Sequence, residues 1–526
     1  KTLYRYGYRK RLQGKEIMCE VPQLTDLDLT GIDTVAIDLE TYDPNLKTKG
    51  LGAVRKDGFV CGIAIATKNQ TLYFPIAHNM TDNLNTKETW DYLNEKVFKN
   101  KGLRKVFHNA MYDVCWIRAA TGEMPQGPLL DTMIAASVID ETRMKYSLDS
   151  ISKDYLKESK YKYDLTAKVL DWSNGTIKDP MTNMHKLPHH LVKDYAEQDV
   201  NLTLKLWELF DTKYLDKVLY TKDNEDGSKE SKTCRKIFQL ETKLFPCLVD
   251  MKFKGVKIDV EKAKTFGKLL KKRRDNLLKI IKKHTKIDVQ IWAASSIKKL
   301  LEHQKITDYK KTKDRTKKLK DKKGKPIIDK ETGKVKTETI ESTIPKLPKD
   351  YLSTHKNHFL RLIVKARNFD KTENTFIEGL LDFVHEGKIH ADINQIRSDQ
   401  GGTVTGRFSY SNPNLQQIPA RNKDLGPLIR SLFVPEEGCE WGCFDYSQQE
   451  PRLVVHYASL YKLPSVYDVV DSYKENTKSD FHQTVADMAE IPRSQAKTIN
   501  LGLFYGMGKG KLQAQLGVTE EKAHEL

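Results

Sequence analysis

Thr34-Val-Ala-Ile-Asp-Leu-Glu-Thr41 is the stretch on which the fold turns. Its apolar run, Val35 to Ile37, reads as a buried strand, and alternation along a strand puts Asp38 and Glu40 on one face. Two carboxylates so close repel one another unless a cation lies between them, and their hard oxygens select Mg²⁺, with Mn²⁺ as a substitute. By itself such a pair is more often a solvated strand end, so the surroundings decide. GIAIAT, TLYFPI and KVFHNA are further short apolar runs, alternating with the helical patterns MYDVCWIRAA and LVKDYAEQDVNLTLKLWELF. From Gly31 to about Tyr214 this is an α/β pattern with a sheet at least partly parallel.

Two of those helices carry polar groups at helical spacing. FHNAMYDVCWI sets Asn109 and Asp113 four apart at a helix start, and DYAEQDVNL sets Tyr195 and Asp199 four apart within one. Residues i and i+4 share a face, so each helix can aim both groups at one point. Metal ions paired about 3.5–4 Å apart can activate water and stabilise the leaving oxygen in phosphodiester cleavage. Asp38, Glu40, Asp113, Tyr195 and Asp199, in that order and on those elements, resemble the DEDDy class of proofreading 3′→5′ exonucleases, with a ribonuclease H-like fold. The resemblance implies that the four carboxylates hold two metal ions, that Tyr195 orients the attacking water and that Asn109 supports the bound strand. Asp131 in LLDTMIAA reads instead as a helix N-cap. His189 and His190, following Pro188, read as surface or capping residues rather than metal ligands.

Further along, TGRFSYSNPNLQQIP (Thr405 to Pro419), LIRSLFVPEEGCEWGCFDYSQQEPRLVVHYAS and RSQAKTINLGLFYG (Arg493 to Gly506) follow in order within about a hundred residues. Trp441 to Phe444 is an apolar run ending in Asp445, which suits a carboxylate at a strand end facing a cleft, or a cap for the next helix. Pro492 is placed to open a helix. At about 100° per residue, Arg493, Lys497, Leu501 and Tyr505 form one drifting stripe, two cations and then two bulky groups, a logical surface for a nucleoside triphosphate, although a lone RxxxK is more often a solvated helix face. Arg407, in a turn bounded by Gly406, can reach a minor groove, where acceptors are offered by every base pair.

Together these segments resemble the polymerase core of family A DNA polymerases, the DNA polymerase I relatives, with Gln449 and Pro451 leaning toward a phage branch. The resemblance runs roughly from Gly31 to Leu526. It implies a multidomain α/β protein: an exonuclease domain followed by a right-hand polymerase of thumb, partial palm and partial fingers. It gives Asp445 and the Tyr446 carbonyl to the catalytic metals and sets Glu450 beneath the incoming sugar. Lys497 and Arg493 fall on the phosphates of a dNTP, Tyr505 near the template base, and Arg407 at the primer terminus. Asn414, Gln416 and Arg430 contact the duplex or support the site. Leu501 departs from the aromatic residue usual at its place.

The remaining composition agrees. The 526 residues are 39% hydrophobic and 30% charged, enough apolar content for several domains. A net charge of +18 suits a polyanion or an anionic membrane surface, nucleic acid first, and the resemblance implies primer–template DNA as the partner. No apolar run approaches a membrane span, and the basic N-terminus lacks the apolar stretch of a signal peptide, so the expected location is cytoplasmic, the host cytoplasm for a phage protein, with an organelle as alternative. Seven cysteines without a CxxC pair indicate free thiols; Cys439 and Cys443 read as packing residues. Expected divisions are an N-terminal extension (1–30), the exonuclease (31–214), a helical thumb (215–400) with a mobile lysine-rich insertion at about 307–345, a palm part (401–470) and a fingers part (471–526). A second α/β stretch is expected from about Leu428.

The family takes a second acidic metal ligand from an HDE motif beyond the fingers helix. This chain has no His-Asp dipeptide and ends 21 residues after Tyr505. The expectation is a fragment truncated before that motif, its polymerase site incomplete. Two alternatives stand beside it: an exonuclease with a vestigial polymerase half, and a DNA-binding subunit completed by a separate C-terminal chain or served by a processivity factor.

Overall fold

The computed structural model describes residues 20–79, 81–159, 162–223, 229–319, 326–328, 335–398, 401–419, 422, 424–464, 466–476, 479–488, 490–516, 519 and 521. The basic N-terminal stretch 1–19, the tip of the lysine-rich insertion and most of the terminal TEEKAHEL pattern lie outside them. The chain forms two compact units, 1–436 and 437–526.

The first unit begins with a five-stranded sheet: β1 (Thr34–Tyr42), β2 (Phe59–Ala66), β3 (Thr71–Pro75), β4 (Arg104–Phe107) and β5 (Leu129–Asp131). Its order is β3-β2-β1-β4-β5, antiparallel across β3, β2 and β1 and parallel across β1, β4 and β5. Alternation along β1 separates two cores, as expected for a sheet covered on both faces. Val35, Ile37 and Leu39 pack with Val114 and Ile117 of α1 (Ala110–Thr121). Ala36, on the opposite face, packs with Ile134 of α2 (Thr132–Ile139) and with Val192, Ala196 and Val200 of α3 (His189–Leu209). Asp38 and Glu40 continue the Ala36 face, which sets them toward α3.

The helix α4 (Arg235–Lys254) leads out of this layer into α5 (Val260–Thr285), whose buried Ile281 shares a core with Leu300 of α6 (Ala294–His303) and Ile363 of α7 (His358–Lys371). The lysine-rich insertion is not structureless where it is described. β6 (Arg315–Lys318) and β7 (Thr337–Ile340) pair antiparallel, with Glu338 opposite Lys317. Thr316, Thr337, Thr339 and Ile340 supply the β-branched residues that a ribbon favours and that the surrounding charge masks in the sequence. Two short strands, β8 (Asp392–Asn394) and β9 (Ser409–Ser411), close the hairpin that carries Arg407.

The second unit holds α8 (Gln449–Leu460), α9 (Val466–Glu475), α10 (Phe481–Met488), α11 (Arg493–Phe504) and α12 (Lys509–Leu516). Among its described residues there is no strand, so the α/β stretch expected from Leu428 is helical instead. Trp441 to Phe444 is likewise not a strand: Phe444 is 96% exposed and Trp441 60%. An apolar run becomes a strand only when a neighbour takes its backbone hydrogen bonds, and none of the described residues here offers one.

Candidate active sites

At the nuclease site, three elements converge. Asp38 faces Ala64 across the sheet, and Glu40 faces Gly62, with a bulge just beyond Glu40. Gly62 is required there: a Cβ on it would lie 1.9 Å from the hydroxyl of the buried Tyr73. Asp113, one turn into α1 and buried, accepts a hydrogen bond from the Leu39 amide at 3.1 Å. Burial, and then the neighbouring Asp38 carboxylate, push its carboxyl well above the usual range. Tyr195 and Asp199 lie one turn apart on α3, both buried. Burial first, then Asp199, Glu40 and Asp38, drive the Tyr195 phenol far upward, so it stays a proton donor. Tyr195 therefore has Asp199, Glu40 and Asp38 as electrostatic neighbours, and Asp113 has Asp38.

Asn109 and Asp131 meet as well, for a structural reason. Asn109 sits in the left-handed region at φ 70° as the cap of α1. Asp131 accepts from the amides of Asn109 (3.0 Å), Ala110 (2.7 Å) and Met133 (2.7 Å), so one carboxylate caps α2, as read from the sequence, and also fastens the start of α1. The entry to α3 is fastened by His78, a residue the sequence did not single out. Its Nδ1 donates to the carbonyls of Met184 (3.1 Å) and Leu187 (2.9 Å), while Nε2 meets the Tyr73 hydroxyl at 2.5 Å. His189 is buried against Thr81, and among the described residues no group of three or more His, Cys, Asp or Glu is drawn together as a metal cluster. The donor chemistry nevertheless fits a hard divalent cation, since a buried carboxylate raised by its own neighbour is what such an ion relieves.

In the second unit, α11 opens after Pro492 as expected, with Pro492 at the cap position. Arg493, Lys497 and Tyr505 are exposed and Leu501 half-buried, while Ala496, Ile499 and Asn500 face inward, so the stripe lies on the outer side. The Tyr505 hydroxyl lies 3.5 Å from Glu450 at the start of α8. Asp445 and Tyr446 are exposed and precede α8, whose cap is Gln448, so Asp445 is not that helix's cap. Gln448, missed in the sequence, is in the left-handed region at φ 52° and ties α8 to α10 by donating to Ser479 O (2.6 Å) and accepting from Phe481 N (2.9 Å). Cys439 and Cys443 are exposed rather than packed, because the run around them joins no core.

Back in the first unit, Arg407 is exposed in its turn, and its carbonyl accepts from Thr403. Gln416 donates to Phe408 O at 2.9 Å, and Asn414 caps the short turn 415–417. These two side chains therefore brace the Arg407 turn. Arg430 ends a short helix and is exposed.

Residues 260–526 match DNA polymerase family A and residues 18–214 match the 3'-5' exonuclease family. The DNA polymerase DpoZ of Salmonella phage PMBT28 is 32% identical over 509 residues, which is 93% of this chain and 72% of that protein. The DNA-directed DNA polymerase of Pseudomonas phage M6 is 31% identical, over 93% of this chain and 69% of its own length. DNA polymerase I of Pseudomonas aeruginosa is 26% identical, with 96% of this chain matching 51% of it. In fold, the chain is similar to the POL domain of Pol1 from M. smegmatis, solved in complex with DNA primer-template and dNTP: the TM-score is 0.64 at 19% identity, covering 94% of this chain and 72% of that one. The chain belongs to DNA polymerase family A. It is a family A DNA polymerase with a 3'-5' exonuclease domain, and both parts are of divalent-metal-dependent kinds. Among the described residues no helix is long and apolar enough to cross a membrane.

Proposed function

We propose that this protein extends a primer on a DNA template from dNTPs and removes misplaced 3′ ends, in replication or repair in the cytoplasm of a phage's host. The observation that supports the editing half is that Asp38, Glu40 and Asp199 all act on the buried Tyr195 phenol while Asp38 also acts on the buried Asp113 carboxyl. These four carboxylates would hold Mg²⁺, which when bound supplies charge compensation at the scissile phosphate. Tyr195, kept protonated by its buried setting, orients the attacking water through its hydroxyl, and Asn109 steadies the strand.

In the polymerase half, Asp445 and the Tyr446 carbonyl would hold the catalytic metal. Arg493 and Lys497 bind the triphosphate by charge-assisted contacts, Glu450 lies beneath the sugar, and Leu501 and Tyr505 offer apolar surface to sugar and base. Arg407, braced by Gln416 and Asn414, takes the primer end, with Arg430 nearby on the duplex. The divisions proposed for these tasks are thumb 215–400, palm 401–470 and fingers 471–526, after the exonuclease at 31–214 and an N-terminal extension.

The test is the pair Asp38→Ala with Glu40→Ala. Degradation of single-stranded DNA in Mg²⁺ should vanish while DNA binding stays nearly intact; undiminished degradation ends the assignment. For the second unit, Lys497→Ala should weaken dNTP binding without touching the nuclease.

A further inference from the structure

One buried charge in the first unit belongs to neither set of residues proposed to bind metal or nucleotide. Lys252 of α4 is 1% exposed at its side chain, and its Nζ lies 2.5 Å from Oδ1 of Asp392 on β8. The two segments grip each other twice more: Nζ is 3.3 Å from the His390 carbonyl, and His390 Nδ1 donates to the Lys252 carbonyl at 2.8 Å. The second carboxylate oxygen of Asp392 accepts from Asn412 Nδ2 at 2.9 Å, just past β9. Both strands of the hairpin that carries Arg407 are therefore tied to one ammonium group.

The same turn of α4 holds the nuclease. Asp250 pairs with Arg118 of α1 at 2.6 Å, and the Arg118 guanidinium lies 4.3 Å from the Phe253 ring centre. So Asp250 and Phe253 grasp the helix that carries Asp113, while Lys252, between them in sequence, grasps the Arg407 hairpin. The nuclease domain also crowds Asp392 directly. Gly50 stands at φ 72°, and a Cβ on it would fall 2.1 Å from Asp392 Oδ2. A small cleft of about 80 Å³ lies between the two parts at this point, lined by Asn109, Tyr112, Asp392, Asn394 and Ser398.

A buried ion pair is weak as a source of stability, because desolvation offsets most of the attraction; its better-attested value is in fixing one geometry. We propose that Lys252 and Asp392 are positioning residues that hold the Arg407 hairpin at a set distance from the nuclease site and so determine how often a primer end is excised rather than retained. This rests on the reading of Arg407 as the contact at the primer end. The pair touches no substrate. It acts through the hairpin on one side and α1 on the other.

The test uses the full chain with its nuclease intact and compares excision of a single strand with excision of a matched primer–template. Lys252→Met should leave single-strand excision nearly as in the parent protein while the ratio of matched-duplex to single-strand excision rises about tenfold, the size of a modest coupling between two sites. If the lone Asp392 charge prevents folding, the paired Lys252→Met/Asp392→Leu variant removes both charges and should fold, yet still lacks the Asn412 tie and should show the same rise. An unchanged ratio in the folded double variant, or a parallel fall on both substrates, overturns the proposal. Arg407→Ala is the control. If it raises the ratio and the double variant does not, the joint is wrong and the Arg407 reading stands; if neither raises it, the reading of Arg407 fails too.

Discussion

Arg493 and Asp480 are joined at two points: Nε and Nη2 of the arginine each lie 2.6 Å from one oxygen, Oδ2, of the aspartate. The other oxygen caps α10 through the amides of His482 and Gln483. Burial pushes the Asp480 carboxyl up, but Arg493 and those amides outweigh it and hold it below the usual range. Arg493, proposed to bind phosphate, is thus engaged by a carboxylate that on that reading an incoming triphosphate would displace.

Asp480→Asn keeps the cap and removes the competing charge. Triphosphate binding should tighten about threefold at low salt and lose the gain at high salt, since both groups are partly exposed and screened. Titration of a dNTP checks it; weaker binding would mean that Asp480 presents Arg493 rather than competing for it.

His78 gives the first unit a pH dependence. Burial, opposed by the Leu187 and Met184 carbonyls, lowers its imidazole to about 4 from an ordinary 6.5. Between those values the unfolded chain binds the proton and the folded one does not, so stability rises with pH through that window and is lost as pH falls from about 6.5 toward 4. The full span corresponds to about 3 kcal/mol. Urea unfolding at stepped pH should show this slope, and His78→Gln, which can still donate to the carbonyls, should flatten it.

Lys105 of β4 is wholly buried and donates to the carbonyls of Asn100 (2.5 Å), Leu103 (2.9 Å) and Gln126 (2.6 Å). Lys105→Met leaves the buried Leu103 carbonyl, and the part-buried carbonyls of Asn100 and Gln126, without that donor and should destabilise by about 2 kcal/mol. The fall in unfolding midpoint checks it, with single-strand excision retained at low temperature because no nuclease residue is touched.

The outer face of α5 exposes Lys264, Lys268, Lys271, Lys272 and Lys279. Replacing Lys268, Lys272 and Lys279 by Ala should reduce the salt dependence of duplex binding by about 0.9 in log–log slope per lost phosphate contact, without altering sequence preference. Deleting 310–325 from the insertion should act in the same direction if the β6–β7 ribbon meets phosphate, and leave the slope unchanged if it is only solvated.

The nuclease half was legible in the sequence because its signals are local. Ile37 and Leu39 alternate with Asp38 and Glu40 at a strand's period, and Asn109/Asp113 and Tyr195/Asp199 sit at a helix's. The stripe on α11 was legible for the same reason. What escaped is long-range: His78 joins β3 to the start of α3 across more than a hundred residues, and Gln448 reaches Ser479. Trp441 to Phe444 misled because apolar content fixes a strand only together with its neighbours, and the insertion misled because its charge hid a β-branched alternation.

Asp131 carries a warning for anyone who maps this nuclease by loss of activity. It is an acidic residue beside Asp113, one of the proposed ligands, and removing it should silence excision as thoroughly as removing a ligand, by letting the first turn of α1 slip and taking Asp113 with it. A screen that scores only survival would therefore count five essential acids where four are proposed to hold metal. Isosteric Asn, whose one oxygen can still accept from the Asn109 and Met133 amides but not from Ala110 as well, should cost less activity at position 131 than at any other member of that set.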